Sequence, residues 1–212
     1  MVSVFLIAAF AVIPQPGEVR QMDGNAPTNA ALGAVTVLTP ALTVDGSFTG
    51  TTVTIGNGTA AQVVSFVPDT TIVCGDFLVN GDAATKNVRL QAAADGAWLL
   101  QARESLVVGA TVSDSDAREG WMVETVSCAD AGNNQNWCFT DTRTHYAGGE
   151  WPALDADTDL VIDRGVTAIL PETVTALKSI FVMQGANVRI DAPLVVAEDV
   201  RFGADSEVTW NQ

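Results

Sequence analysis

The sequence predicts an all-β protein: a sandwich or solenoid of short strands, with an extended N-terminal arm before it and a stack of repeated strand units at its end. Three observations support this fold class. The 212 residues are rich in threonine, valine, alanine and glycine and include only two lysines, Lys86 and Lys178, so the residue mixture typical of helical proteins is missing. Turn signals recur about every 8–12 residues. The C-terminal part repeats one strand–turn–strand phrase about every 20 residues.

The first element is a segment, residues 2–13, that is apolar apart from Ser3. It is shorter than the roughly 20 residues that a membrane-spanning helix needs, so we predict no transmembrane span. Two interpretations stay open: a secretory leader with a small-x-small cleavage pattern at residues 9–11, or a retained arm that another surface must cover. The absence of Lys and Arg before the segment favours the arm. Its assembly residues would be Val2, Phe5, Leu6, Ile7, Phe10, Val12 and Ile13.

The pattern after the arm predicts three further segments. Residues 1–17 are the arm or leader, and the proline- and glycine-containing residues 18–40 predict a linker. Residues 41–150 predict a β-rich domain with a long polar loop at 128–150, and residues 151–212 predict the repeats. The strands expected before the repeats are residues 34–38, 42–44, 51–55, 61–67, 70–73, 77–79, 87–92, 97–102, 106–112 and 122–127.

In the repeats, apolar residues alternate with polar or small ones on both sides of a glycine, at Gly165, Gly185 and Gly203. One such unit cannot bury its apolar face alone, so the units are expected to stack on one another. Residues 172–178 are the one alternative to this pattern, because they would allow a short helix.

Residues 150–210 show a Trp-Pro pair, then a strand with Asp and Val, then a Gly-Val-Thr corner, and then a Gly-Ala-x-Val-x-Ile stretch. The residues that match this order are Trp151, Pro152, Asp159, Val161, Gly165, Val166, Thr167, Gly185, Ala186, Val188 and Ile190. With these residues the region resembles the rungs of β-solenoid (β-helix-like) proteins found among surface adhesins and fibre proteins. The resemblance implies a C-terminal stack of β-solenoid-like rungs, which the preceding half must cap or extend.

The three cysteines suggest one disulfide. Cys128 and Cys138 bracket a polar stretch rich in glycine and asparagine, and a bond between them would close that loop. Cys74 lies in an apolar run and is expected to be a small buried side chain. No pair of cysteines has the spacing of zinc ligands.

One acidic cluster predicts a metal site. Asp155, Asp157 and Asp159 occupy alternate positions and offer the carboxylate oxygens that Ca²⁺ prefers. The full EF-hand pattern fails, because Leu160 stands where glycine is needed and Val166 where glutamate is needed. We therefore predict a looser surface Ca²⁺ site, with solvated turn residues as the alternative, and no other cofactor.

No catalytic residue is predicted. His145 is the only histidine, and no nucleophile motif accompanies it. Aromatic residues gather around the polar loop instead. They would either stack on sugar rings or anchor a protein partner, or else cap the ends of the β-core. These candidate binding residues are Trp121, Trp137, Tyr146 and Trp151.

Charge narrows the function classes. The chain has 25 acidic and 10 basic residues and a net charge of −15, which repels phosphate backbones and argues against nucleic-acid binding. We expect a non-enzymatic structural protein that assembles with copies of itself and neighbouring subunits on a virion or other extracellular surface, as a decoration, spike or fibre protein. The alternative is a secreted cell-surface adhesin or carbohydrate-binding module that binds glycans. A β-helical polysaccharide-degrading enzyme has the least support.

Overall fold

The computed structural model describes residues 19–21, 30–139 and 143–211, so the predicted arm at residues 2–13 lies outside the described part. The described residues form strands and turns and contain no helix, which confirms the all-β fold class. In that part of the chain there is accordingly no helix with the length and apolarity to cross a bilayer. The chain divides into two compact units, Met1–Phe139 and Thr140–Gln212.

The first unit consists of parallel strands in two sheets. One sheet has the spatial order β1, β3, β5, β7, β9, β12 and β14, with β2 beside β5 and β11 beside β9; the other contains β13, β10, β8, β6 and β4. The strands in chain order are β1 (Val19–Gln21), β2 (Ala30–Ala31), β3 (Ala34–Val37), β4 (Ala41–Val44), β5 (Phe48–Ile55), β6 (Gln62–Phe66), β7 (Thr71–Asn80), β8 (Val88–Ala92), β9 (Trp98–Val108), β10 (Ala110–Val112), β11 (Ser115–Asp116), β12 (Val123–Val126), β13 (Ala129–Asp130) and β14 (Trp137–Cys138).

From β3 to β10 the chain alternates between these two sheets and returns to each one strand further on, so the first unit is a β-solenoid. Its coils differ in length. Val35 pairs with Val53, whereas Thr71 pairs with Leu99 across a much longer stretch of chain. The shortest stretch lies in the final coil of this unit, where Val123 pairs with Trp137. The solenoid was one of the two predicted architectures, and the sandwich was the other.

In the long strands of the first unit, the alternation of buried and outward side chains shifts midway. In β7, Ile72 and Phe77 both point into the core although Phe77 is the fifth residue after Ile72. Side chains in a regular strand alternate between its two faces, so the alternation shifts by one position between these two residues. Gly75 lies at this shift. A Cβ atom there would lie 2.6 Å from the carbonyl oxygen of Thr51 in the preceding coil, so only glycine allows the two coils to approach this closely.

An aromatic cluster fills the core of the first unit. The Trp98 side chain is fully buried and stacks on Phe66, with ring centroids 4.2 Å apart. Trp137 meets Trp98 edge-on at 6.1 Å. The indole Nε1 of Trp98 donates a hydrogen bond to the carbonyl oxygen of Ser113 at 3.1 Å, so the one polar atom of this ring is satisfied inside the core.

The second unit is a β-solenoid with three faces. Its sheets have the spatial orders β15, β16, β19, β22; β17, β20, β23; and β18, β21, all parallel. The strands in chain order are β15 (Thr144–Tyr146), β16 (Asp159–Ile162), β17 (Thr167–Leu170), β18 (Ala176–Leu177), β19 (Ser179–Val182), β20 (Asn187–Ile190), β21 (Val195–Val196), β22 (Val200–Phe202) and β23 (Glu207–Trp210).

The repeat of this unit matches the predicted stack of β-solenoid rungs. Thr167 pairs with Asn187 and Asn187 pairs with Glu207, so each step advances by the same length of chain. Residues 172–178 form no helix. Instead, Val174 N donates to the Pro171 carbonyl at 2.9 Å in a turn, and β18 follows.

The corner between the first two faces is a turn that needs a positive φ. Gly165 and Gly185 both have φ of +67°. The equivalent residue of the next coil is Asp205, with φ of +53°, and not Gly203 as the sequence suggested. Gly203 instead is equivalent to Met183. Each donates its amide hydrogen to the carbonyl oxygen of the last strand residue in the coil before it, Val182 for Gly203 and Ile162 for Met183.

We expect Asp205→Gly to stabilise the second unit by about 0.5–1 kcal/mol, because glycine adopts a positive φ without the steric penalty of a β-carbon. The matched change Gly185→Ala should destabilise by about 1 kcal/mol. A Cβ atom at Gly185 would have no neighbour within 4 Å, so its cost comes from the backbone alone. Urea unfolding measures both, and a destabilising Asp205→Gly would contradict the turn assignment.

The region predicted as one polar loop, residues 128–150, contributes to both units. It contains β13 and β14, which complete the short final coil of the first unit, and β15, which pairs with β16 in the second. The sequence hid these strands because each is only two or three residues long. The boundary between the two compact units therefore lies after Phe139, earlier in the sequence than the boundary predicted at residue 150.

Candidate functional site

The strongest candidate is the last coil, which we define as β22 and β23. Its inward-facing side chains continue the apolar columns of the coils before it, yet they are exposed. Leu160 and Ile180 are 0% and 1% exposed, whereas Val200, the next member of their column, is 43% exposed. Phe202 and Trp210 end their own columns at 36% and 45% exposure. The residues that form the core inside the stack thus form an apolar surface here.

The backbone of the last coil is also open on one side. β22 pairs with β19 and β23 pairs with β20, and no strand among residues 19–21, 30–139 and 143–211 pairs with their other edges. An edge of this kind presents amide N–H and carbonyl groups that another strand can bind. An apolar surface combined with an open strand edge is suited to binding a β-strand.

Acidic side chains surround the last coil. Glu198, Asp205 and Glu207 are exposed around it. Arg201, the basic residue of β22, donates to Asp199 at 3.0 Å. The coil therefore presents an apolar centre and an acidic rim, which disfavours a partner whose contact surface is itself acidic.

A second candidate is an open cleft of about 500 Å³ on the first unit. Gly120 packs against Ala102 so closely that a Cβ atom would lie 2.8 Å from the Ala102 nitrogen, and Trp121 N donates to the Ala102 carbonyl at 3.2 Å. This contact holds the Trp121 ring at the cleft with 48% of the residue exposed. The lining residues are Cys74, Gln101, Ala102, Arg103, Glu119, Gly120 and Trp121.

The chemistry of this cleft is that of a polar binding surface. It combines an aromatic face with an amide, a carboxylate and a guanidinium group, from Gln101, Glu119 and Arg103. The Arg103 guanidinium group also forms an ion pair with the Glu104 carboxylate at 2.6 Å. Aromatic rings flanked by such groups can stack on sugar rings while polar groups bind hydroxyls. Of the four aromatic residues predicted to bind, Trp121 is the one that lines this cleft.

The other predicted aromatic residues are packed inside the fold. Trp137 is 4% exposed, and its Nε1 donates to Ser115 Oγ at 3.0 Å, so its assignment as a binding residue is corrected to a core residue. Tyr146 is buried and stacks on Trp151 with centroids 3.7 Å apart and ring planes at 9°. Trp151 is half-buried and packs on the core of the second unit. These rings stabilise the β-core, which was the alternative role.

The predicted calcium ligands have different partners. Asp155 Oδ1 accepts hydrogen bonds from Asp157 N at 3.1 Å and Thr158 Oγ1 at 2.7 Å, so it stabilises a turn. Asp159 Oδ2 accepts from Lys178 Nζ at 3.1 Å. Burial raises the pKa of Asp159, but hydrogen bonds from Lys178 and Ser179 outweigh it and hold this pKa below its usual value. Within the described residues no group of three metal-binding side chains is preassembled, and the Ca²⁺ site stays a prediction.

The cysteines are buried thiols, and the predicted Cys128–Cys138 disulfide is absent. The reason is their place in the coil. Cys138 lies in β14 and pairs with Glu124 of the neighbouring strand β12. Cys128 instead follows the end of β12 at a corner, where its Sγ accepts a hydrogen bond from Ala110 N at 3.3 Å. Cys74 is buried as predicted, and burial, together with nearby Asp76, raises the pKa of its thiol to about 12.

His145 lies in β15, where its Nδ1 is 2.7 Å from Asp163 Oδ1 on an exposed part of the surface. Opposite it in the parallel register is Val161. The pair joins neighbouring strands, and the sequence-based expectation of no catalytic role for this histidine stays a prediction.

Sequence reasoning missed the last coil because its apolar pattern is the same as that of the buried repeats. Only the order of stacking distinguishes Val200, Phe202 and Trp210 from their buried equivalents. Glu119 and Arg103 were missed for lack of any local motif. No family model, curated protein or solved structure matches the chain.

Proposed function

We propose that this protein is a non-enzymatic structural protein whose copies assemble on an exterior surface, as a decoration, spike or fibre protein of a virion. The observation that carries the proposal is the last coil, where exposed apolar columns meet an open strand edge. A surface of this kind promotes association with further β-structure. The regular coils of the second unit support this role, because each coil of a solenoid contacts only its neighbours and can extend a stack.

Charge supports the exterior location. The net charge of −15 favours solubility in a salty medium, where screening over about 8–10 Å weakens repulsion between copies. The outward positions of β5, at residues 49, 51, 52 and 54, carry threonines rather than apolar side chains. Thr52 Oγ1, for example, donates to Asp76 Oδ2 at 3.0 Å along one outer row.

The cleft at Trp121 supports a second candidate function, a secreted module that binds glycans. An exposed indole beside Gln101, Glu119 and Arg103 is the feature that favours it. Binding on a glycan array that is lost in Trp121→Ala and kept in Trp137→Phe would favour this function. A polysaccharide-degrading enzyme would need two carboxylates facing one cleft, and Glu119 is the one acid lining this one.

The assembly proposal predicts that the full chain forms oligomers at micromolar concentration in physiological salt. Truncation of residues 1–17 should abolish them and leave the far-ultraviolet circular dichroism unchanged, because both solenoid cores lie in residues 32–208. Mass photometry of the two proteins measures this. A full chain that is monomeric over the whole concentration range would contradict the proposed function.

A further inference from the structure

We propose that the last coil of one copy is covered by residues 2–13 of a second copy, which add to it as a β-strand. This inference rests on the proposed assembly function and deepens it, since it names the two surfaces that meet. The result is a head-to-tail contact between copies.

The chemistry of the last coil requires a peptide strand as the occupant. The open edges of β22 and β23 expose backbone donors and acceptors beside the apolar side chains of Val200, Phe202 and Trp210. A lipid or a small apolar ligand would cover the side chains but leave those backbone groups buried without partners, which is costly. An added strand satisfies both, because it supplies matching N–H and C=O groups and its own apolar side chains.

Residues 2–13 have the composition and the length for this role. They are rich in Val, Ile, Phe and Ala, and β-branched and aromatic residues favour strands. The segment is nearly the same length as the edge that runs from Val200 to Trp210. The small residues Ala8 and Ala9 lie near the middle of the segment, where the edge turns between β22 and β23.

Charge favours this segment over a second copy of the last coil. Residues 2–13 contain no charged side chain. Two last coils facing each other would instead bring Glu198, Asp205 and Glu207 of both copies together, and like charges across an interface are costly. The uncharged segment can therefore bind inside the acidic rim without repulsion.

The origin of the segment makes the contact head-to-tail. Only residues 14–18 connect it to β1, the outermost strand of its sheet, and a connection of that length spans at most about 17 Å. The segment and the last coil are two different parts of the chain, since one precedes β1 and the other is formed by β22 and β23. A contact between two different surfaces can repeat from copy to copy.

The test uses two full-chain variants that each block one surface. Phe202→Asp blocks the last coil, and Phe5→Asp combined with Ile7→Asp and Phe10→Asp blocks the segment. The control is Ile169→Asp, because Ile169 is 49% exposed but points outward from β17. We expect each blocked variant to lose self-association by at least about 100-fold in dissociation constant, and the control to keep it. Mixing the two blocked variants should give a heterodimer and nothing larger in native mass spectrometry.

The outcomes separate this inference from the proposed function. If the unmodified chain and Phe202→Asp assemble equally well, the inference is wrong while assembly itself stands. If the unmodified chain is monomeric, both are wrong. Blocked variants that stay monomeric after mixing would rule out the segment as occupant. The milder Phe202→Ser guards against misfolding: with unchanged circular dichroism it should still weaken association about tenfold, and unchanged association would count against the site.

Discussion

Replacing Trp98 with alanine should destabilise the first unit by about 3–5 kcal/mol, the range for removing a buried aromatic side chain. Trp98 is fully buried, stacks on Phe66 at 4.2 Å and lies 6.4 Å from Phe77. The change leaves a cavity between both sheets and also removes the hydrogen bond to the Ser113 carbonyl. A loss of this size is a large share of the roughly 5–15 kcal/mol that typically stabilises a domain.

The matched control is Trp121→Ala. Trp121 is 48% exposed at the cleft, so its removal should change the unfolding free energy by no more than about 0.5 kcal/mol. Guanidinium unfolding followed by far-ultraviolet circular dichroism compares the two variants without relying on tryptophan fluorescence. Equal effects at the two positions would contradict the burial of Trp98 between the sheets.

Gly81→Ala should destabilise the first unit by about 2–3 kcal/mol, because it forces apart two stacked coils. A Cβ atom at Gly81 would lie 2.1 Å from the carbonyl oxygen of Gly109 and 2.8 Å from that of Val108, both backbone atoms with no flexible end. The amide of Gly81 also donates to the Val108 carbonyl at 2.8 Å, so relief of the collision would stretch this bond between coils.

Gly58→Ala separates this collision from the general effect of replacing glycine. Gly58 has φ of +82°, and a Cβ atom there would have no neighbour within 4 Å, so only backbone strain of about 1 kcal/mol is expected. Both changes reduce the entropy of the unfolded chain equally, so the difference between them measures the close approach of the coils. If Gly58→Ala were the more damaging variant in urea unfolding, the corner at Gly81 would be looser than described.

The second unit could be predicted from its sequence because its coils have one length. A constant interval along the chain places residues such as Ile162, Val182 and Phe202 in one column, so the repetition is visible without coordinates. The corner at Asp205 could not be predicted this way. An aspartate there gives no signal for a positive φ, whereas Gly203 two positions earlier gives a misleading one.

The first unit left the choice between a sandwich and a solenoid open because its coils vary in length. The pairings made by Val35, Thr71 and Val123 span unequal stretches of chain, so they produce no repeat in the sequence. Alternation inside each strand was readable, but it reports one buried face and not which strand lies next to it. The alternation within β7 also shifts at Gly75, so one long strand looks like two short ones.

The candidate site was only partly predictable for a related reason. Trp121 and Trp137 are equivalent as sequence signals, and both lie near a polar region. Their difference arises from the coil that covers each ring: Trp137 packs against Trp98, whereas Trp121 follows the Gly120 contact at the surface. Burial of one ring and exposure of the other is decided by long-range stacking.

The most direct test of assembly through the last coil is amide hydrogen exchange of the full chain in its assembled state. We predict that residues 200–202 and 207–210 are as strongly protected as residues 179–182 and 187–190, because a strand from a second copy pairs with the last coil. In Phe202→Asp the first two segments should exchange much faster while the other two stay protected. Rapid exchange of the last coil in the assembled, unmodified protein would contradict the claim that this coil is where copies meet.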